Sequence, residues 1–188
     1  MYNKLMEKFF VFLDIDGTLW DNKDTLYWQY ESANLNPDSV IAVNNLITEL
    51  QKRNFDPIFV IISKKRANWE ECQNILYSQG IRDDINMYSL PRGNYTRGER
   101  ISLFLYDHSK GKDISTGTRH FSILDKINLN YAMKVDNYVV IDDDRSALFN
   151  IPRFHHIQTF MCDRCLDMDH VNEFLNNLDH NFELEPEQ

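Results

Sequence analysis

The sequence predicts an α/β fold with a mainly parallel sheet of five strands. Short apolar runs of four to six residues recur along the chain, and polar residues follow each of them, as is typical of strands buried on both faces. Segments with helical periodicity lie between these runs, and such alternation favours a parallel sheet. The predicted strands are residues 9–13, 58–62, 86–90, 138–141 and 156–160.

Three segments show the apolar spacing of helices. Residues 39–53 place apolar side chains at positions 40, 43, 46, 47 and 50 on one stripe, and Pro37 precedes them, where a helix accepts proline. Residues 67–79 form the second predicted helix, and Gly80 suits a C-terminal cap. A third helix is predicted over residues 99–106, after the third strand.

One segment interrupts the alternation of strand and helix. Residues 107–136 hold two glycines and several Ser, Thr and Lys residues before a short helical stretch at 121–127, which predicts an insertion or flap. We interpret residues 1–178, with this insertion, as a single domain, because no repeat or composition shift divides them. Residues 179–188 are predicted to form an acidic C-terminal tail.

Composition excludes several classes of protein. Of the 188 residues, 43% are hydrophobic and 26% charged, which suits one globular domain rather than a disordered chain. No apolar run approaches the roughly 20 residues that span a bilayer, so no membrane partner is expected. The net charge of −9 argues against non-specific coating of nucleic acid. Three cysteines and no export signal predict a cytoplasmic protein with reduced thiols.

Two carboxylates follow the first predicted strand. Asp14 and Asp16 stand two residues apart with no cation beside them in sequence, a spacing that favours binding of a divalent metal. Gly17 lets the chain turn away and leaves backbone N–H groups that can meet an anion. The carboxyl end of a strand in an α/β sheet is also the usual place for a ligand.

The segment from Asp14 to Thr18, which follows an apolar strand, resembles the first motif of the haloacid dehalogenase (HAD) superfamily. The resemblance implies a three-layer, Rossmann-like sandwich in which Asp14 is a nucleophile that takes a phosphoryl group. Asp16 would be the general acid and then the general base. The resemblance also implies Mg²⁺ as the cofactor, with Asp14 and Asp16 among its ligands, and makes Thr18 a candidate phosphate-binding residue.

Later strand ends supply further motifs of the same family. Ser63 follows the second core strand, where the family has a Ser or Thr that holds a phosphate oxygen. Three adjacent carboxylates follow the strand at 138–141, and they would repel one another unless a cation lay among them. Asp142 and Asp143 are the expected metal ligands. The alternative register uses Asp143 and Asp144.

The family also needs one Lys or Arg against the phosphoryl charge, and several candidates are present. Arg97 opens the helix after the third strand, a context that resembles the HAD domains of Swiss Army Knife RNA repair proteins. The Asp-Asp-Arg string of the alternative register resembles polynucleotide phosphatases. The rivals for the cation are Arg100, Lys110, Lys112 and Lys126.

The spacing of the motifs and the charges around them bear on the substrate. Only 47 positions separate Asp16 from Ser63, too few for a large cap domain, so an open site is expected. Aromatic residues after the first motif either pack as core or stack on a base, and packing is favoured. A basic rim is expected from Lys64, Lys65, Arg66, Arg92, Arg97 and Arg100, which favours an anionic substrate such as a nucleotide or oligonucleotide end.

Two cysteines near the end of the chain raise the question of zinc. Cys162 and Cys165 have His155, His156 and His170 near them in sequence. A single pair of cysteines lacks the second half of the usual zinc motifs, so surface or partly buried side chains without metal are the favoured interpretation.

The predicted function is therefore a Mg²⁺-dependent phosphomonoester hydrolase that works through an aspartyl-phosphate, acting on nucleotide or polynucleotide ends. One alternative is a small-metabolite phosphatase or 5′-nucleotidase. Another is a non-catalytic binding or regulatory module that keeps the fold. An oligomer is compatible with each of these three functions.

Overall fold

A computed structural model gives the architecture of the chain. It describes residues 6–20, 34–63, 69–91, 94–112, 123–160 and 164–183. A five-stranded sheet, parallel throughout, has the strand order β3-β2-β1-β4-β5. The strands are β1 (Glu7–Leu13), β2 (Phe55–Ile61), β3 (Asn86–Ser89), β4 (Tyr138–Asp142) and β5 (His156–Gln158). The predicted α/β class with a parallel sheet is confirmed.

Helices cover both faces of the sheet in a three-layer, Rossmann-like arrangement, and the described residues include no large cap. The helices are α1 (Pro37–Lys52), α2 (Trp69–Ser78), α3 (Arg97–Ser109) and α4 (Met168–Glu183). Alternate β1 residues face opposite sides, as the pleat of a strand requires. Phe9 and Val11 pack with side chains of α1, α2 and α4, whereas Phe10 and Phe12 pack with those of α3.

No helix is predicted where α4 lies. Half of its residues are Asp, Asn or His, which have low helix propensity. Its buried side chains, which include Val171, Phe174 and Leu175, share the core on the α1 face of the sheet, and this tertiary packing outweighs local propensity. The helix extends into the predicted tail as far as Glu183, and Asp179 pairs there with Arg53 at 2.6 Å.

The segment predicted as a flap contributes to the layer around α3. Helix α3 itself continues to Ser109, and short 3₁₀ helices span Ile123–Asn128 and Tyr131–Lys134. Ala132 N donates to Ser102 Oγ at 3.1 Å, and the Tyr138 hydroxyl donates to the Ala132 carbonyl. The described part of this segment therefore packs against the domain. Residues 113–122 lie outside the described residues.

Across the described ranges, no helix is both long and apolar enough to cross a membrane.

The start of α3 depends on a close approach that only glycine allows. A Cβ at Gly98 would overlap Oδ1 of Asn150 and lie 3.3 Å from Cα of Leu148. Asn150 is buried and donates to the Leu129 carbonyl at 2.6 Å, so it has little room to move.

We expect Gly98→Ala to lower the free energy of unfolding by about 1–3 kcal/mol, because the added methyl group overpacks this contact. Chemical denaturation checks the change. Adding Asn150→Ala should recover part of the loss, so the two effects should be clearly non-additive. Purely additive effects would show that the contact does not limit residue size at Gly98.

Candidate active site

Two acidic motifs lie next to each other at the C-terminal ends of the central strands. β1 lies between β2 and β4, and Leu13 is in register with Ile141. Asp14 N donates to the Ile141 carbonyl at 2.9 Å, so Asp14 and Asp142 leave the sheet side by side. Ser63 follows the end of β2 on the other side of β1. The parallel strands thus place Asp14, Ser63 and Asp142 at the same end of the sheet, where the strands terminate.

Asp14, Asp142 and Asp143 form a carboxylate cluster. One oxygen atom from each lies within 4.8 Å of the other two. Asp14 is 3% exposed and Asp142 is fully buried. Burial raises the pKa of Asp14 to about 7, with Arg97 acting in the opposite direction and Asp142 adding to the increase. Burial likewise raises the pKa of Asp142 and that of Asp143.

Arg97 is the cation that meets this cluster. Its Nη1 donates to Oδ2 of Asp142 and lies 3.8 Å from Oδ2 of Asp14. The guanidinium is 7% exposed. Burial would lower the pKa of Arg97, but Asp14 and Asp142 together raise it, so the group stays charged.

The capping of α3 explains where Arg97 lies. Thr96 is the N-cap, its hydroxyl accepts from the Glu99 amide, and the Glu99 carboxylate accepts from the Thr96 amide. This capping box starts the helix at Arg97, two residues before the predicted start. The first residue of α3 therefore faces the carboxyl edge of the sheet.

The rival cations lie elsewhere. Lys110 and Lys112 follow the far end of α3, about 20 Å from its start at 1.5 Å per residue. Lys112 pairs with Asp107 at 2.8 Å, and Lys126 is exposed on a 3₁₀ helix. Arg100 donates to the Pro91 carbonyl at 3.3 Å. Of the five candidates, the structure brings Arg97 to the carboxylates.

Asp16 and Ser63 form a second pair beside the cluster. The Ser63 hydroxyl donates to Oδ2 of Asp16 at 3.4 Å, and Ser63 is buried while Asp16 is partly exposed. Gly17 turns the chain after Asp16 with φ 73°, a conformation that favours glycine. The Asp16 carboxylate is not part of the close group of Asp14, Asp142 and Asp143.

Thr18, the predicted phosphate-binding residue, is fully buried. Its hydroxyl lies 2.9 Å from that of Thr159, and its carbonyl accepts from Leu166 N at 2.9 Å. These bonds connect the first motif to the chain that follows β5. The Thr18 side chain therefore contacts the core beside the site.

The three consecutive acids after β4 have different surroundings. Asp142 and Asp143 belong to the cluster, whereas the Asp144 carboxylate accepts from the Ser146 hydroxyl at 2.6 Å, which lowers its pKa. Asp144 N donates to Oδ1 of Asp142 at 2.8 Å, which holds that carboxylate in place. This geometry favours the register that uses Asp142 and Asp143.

The cluster has the chemistry of a divalent cation site. Three carboxylates converge, and carboxylate oxygen is the ligand that hard cations prefer. Asp14 Oδ1 is buried and has no hydrogen-bond partner among the described residues. A buried acceptor without a donor is costly, and a cation within reach would satisfy it. The residues therefore fit such an ion.

Two residues of β5 support the cluster, and the motifs did not reveal them. Gln158 Nε2 donates to the Asp143 carbonyl at 2.8 Å, and His156 Nε2 lies 3.2 Å from the Asp142 carbonyl. Both hold the backbone of the acidic turn. These two residues could have been found from their position on the strand beside β4. The sequence alone, however, does not give the strand order that places β5 there.

The histidines near the two cysteines have other contacts. His155 Nδ1 lies 2.7 Å from the Tyr138 carbonyl, and His170 contacts Asp167 at 2.8 Å. Cys165 is partly exposed. Several candidates lie outside the described residues, namely Cys162 and, in the basic rim, Lys64, Lys65, Arg66 and Arg92.

Comparison with known proteins does not identify the chain. No protein-family model matches the sequence, and a search of curated proteins finds no match.

The raised pKa of Asp14 makes the stability of the metal-free protein depend on pH. The pKa is about 7 in the folded protein and 3.8 without the fold's influence, so the unfolded chain loses this proton at lower pH. The free energy of unfolding should therefore fall as pH rises from about 4 to about 7, by up to about 1.4 kcal/mol per pH unit from Asp14. Urea titrations in chelator at several pH values measure it.

Asp14→Asn is the matched variant, because it removes the titrating carboxyl group of Asp14 and leaves the other acidic residues in place. The stability difference between variant and wild type should change in favour of the variant as pH rises through this window. A difference that is constant with pH would contradict the raised pKa.

Proposed function

We propose that this chain is a HAD-type phosphomonoester hydrolase that uses Mg²⁺ and forms an aspartyl-phosphate on Asp14. The observation that carries the proposal is the buried Asp14 carboxylate, which has one oxygen without a hydrogen-bond donor among the described residues and lies beside Arg97 and the acids after β4. The resemblance of the first motif to the HAD superfamily supports the same chemistry.

The charge of the site explains why a cation is part of the proposal. Asp14, Asp16, Asp142 and Asp143 outweigh the single charge of Arg97 when all are ionised, and a phosphate dianion would be repelled. Asp14, Asp142 and Asp143 would hold Mg²⁺, which would neutralise charge and favour the ionised form of Asp14.

In the first step, a carboxylate oxygen of Asp14 attacks the phosphorus atom of the substrate. A bond forms between this oxygen and phosphorus, and the bond from phosphorus to the ester oxygen breaks. Asp16 in its protonated form gives its proton to the leaving oxygen, so an alcohol departs. Asp16 is partly exposed at the mouth of the site, which suits contact with a leaving group.

The second step returns the enzyme to its starting state. Asp16, now a carboxylate, takes a proton from water as the water oxygen attacks phosphorus. The bond between phosphorus and Asp14 breaks, and inorganic phosphate leaves. The Ser63 hydroxyl donates to Asp16 at 3.4 Å, so it can orient this carboxylate. Its contact with a phosphate oxygen stays a prediction from the sequence.

Arg97 supplies the positive charge that the phosphoryl group needs. Its guanidinium lies between Asp14 and Asp142 at the N-terminus of α3, where the helix dipole adds to the attraction for an anion. The phosphate contact of Thr18 stays a prediction from the sequence. Action on nucleotide or polynucleotide ends, and a cytoplasmic location, stay predictions from the sequence.

Phosphate release tests the proposal. We expect Mg²⁺-dependent release from at least one member of a panel of p-nitrophenyl phosphate, mononucleotides, sugar phosphates and 3′- or 5′-phosphorylated oligonucleotides. Asp14→Asn should lower kcat by at least about 10³-fold, because the nucleophile is lost. Asp84→Asn is the matched control, since Asp84 precedes β3 at the opposite edge and pairs with Arg82.

The panel also separates the alternatives. The best substrate decides between polynucleotide ends and small metabolites. Mg²⁺ binding without release from any member would contradict the hydrolase and favour a binding module. Release that persists in Asp14→Asn would contradict the covalent step.

The choice of metal ligands can be tested separately. Asp143→Asn should raise the Mg²⁺ concentration needed for half-maximal thermal stabilisation by at least about 10-fold, because it removes a ligand. Asp144→Asn should change that concentration much less, because its carboxylate bonds Ser146. Thermal-shift titrations with MgCl₂ measure both. An effect of Asp144→Asn as large as that of Asp143→Asn would favour the register with Asp143 and Asp144.

A further inference from the structure

A groove runs beside the edge of the sheet, next to the proposed catalytic site. Its volume is about 750 Å³, and it lies between the edge strand β5 and helix α4. The volume is in the range of ligand-binding clefts. We call it the β5–α4 groove. Its lining includes Arg145, Arg153, Phe154, Phe160 and Arg164.

The charge of this groove is opposite to that of the chain. Among the described residues that line it, Glu173 is the only acid. The guanidinium groups of Arg145 and Arg153 are exposed and make no hydrogen bond or ion pair with the described residues, whereas Arg164 pairs with Asp167 at 2.9 Å. On a protein with a net charge of −9, two unpaired arginines in one groove would attract an anion there.

Two phenylalanine rings accompany the arginines. Phe154 is 56% exposed and Phe160 is 53% exposed, although both are large and apolar. The Phe160 backbone is held by two hydrogen bonds with Arg164, each 2.9 Å long, and the Phe154 ring packs at 4.3 Å on that of His155. Exposed rings beside cations that have no partner among the described residues are the combination that binds single-stranded nucleic acid.

The groove lies beside the acidic turn that follows β4, and Gln158 contacts both. Gln158 lines the groove and donates to the Asp143 carbonyl at 2.8 Å. Arg145 begins the 3₁₀ helix Arg145–Leu148 directly after the three acids. From Arg153 to Phe160 the chain spans at most about 23 Å, at 3.3 Å per residue. A ligand along β5 would therefore end beside Asp143.

We propose that the β5–α4 groove binds a short single-stranded segment of nucleic acid. Phosphates of the strand contact Arg145 and Arg153, and bases stack on Phe154 and Phe160. The position of its phosphorylated end at Asp14 rests on the proposed function, but binding of the strand itself does not. A protein strand added to β5 fits less well, because β5 has only three residues to offer main-chain hydrogen bonds.

Fluorescence anisotropy with a labelled, unphosphorylated oligothymidylate in chelator tests the groove without turnover. Wild type should bind with a log–log salt slope of about −1.4, that is about −0.7 for each of two phosphate contacts. Arg153→Gln should make the slope less negative by about 0.7. Phe154→Ala and Phe160→Ala should each weaken binding by about 5- to 150-fold.

Matched controls lie outside the groove. Phe149→Ala removes a phenylalanine that is 70% exposed and does not line it, and Arg82→Gln removes an arginine at the other edge of the sheet. Neither should change binding by more than about twofold. Thermal melts should show that the variants at the exposed positions Arg153, Phe154 and Phe160 are folded.

Three results would overturn the groove proposal: no binding by wild type, groove variants that bind as wild type does, or equal displacement of the oligonucleotide by poly-glutamate. The last would show a general anion surface. Phosphate release by wild type from the substrate panel described above separates this outcome from the catalytic proposal. Hydrolysis without oligonucleotide binding contradicts the groove alone, and binding without any hydrolysis contradicts the hydrolase alone.

Discussion

Burial of like charges at the ends of two neighbouring strands is the constraint on which the rest of the site depends. Because β1 and β4 are adjacent and parallel, Asp14 and Asp142 leave the sheet together, away from water. Loss of hydration on burial raises the pKa of each carboxyl group, and the charge of Asp142 adds to the increase at Asp14. The ionised forms of both groups need positive charge close by, and this requirement explains the placement of Arg97.

The layer around α3 supplies that charge. The capping box of Thr96 and Glu99 starts the helix at Arg97, and the missing side chain at Gly98 lets the helix lie close to Asn150. The N-terminus of α3 and the Arg97 guanidinium both place positive charge next to the C-terminal ends of the strands. Packing far from the chemistry thus determines the electrostatics of the cluster.

Charge is also unevenly divided around the edge strand. Three acids form the cluster, and two arginines without partners among the described residues lie in the adjacent β5–α4 groove. Gln158 connects the two regions through the backbone of Asp143. An anionic ligand in that groove would be attracted by the arginines and repelled by the acids, unless a cation were bound among them. This contrast explains why metal and anion binding at this edge should be coupled.

The sequence alone determined the strands and the acids that follow them. Short apolar runs are typical of buried parallel strands, so the β1 and β4 runs and the positions of Asp14 and Asp142 at their ends could be predicted without coordinates. The sequence did not by itself decide between Arg97 and its rivals Lys110 and Lys112. The direction in which α3 runs determines which of these cations meets the cluster.

The tertiary structure alone decided the remaining features. Helix α4 exists because its buried stripe packs against the core, although its Asp, Asn and His residues disfavour a helix. The support of Asp143 by Gln158 depends on strand order, which places β5 beside β4. Local patterns report which side chains are buried and which lie at strand ends. Contacts between residues distant in sequence depend on how the layers pack, and that information belongs to the whole chain.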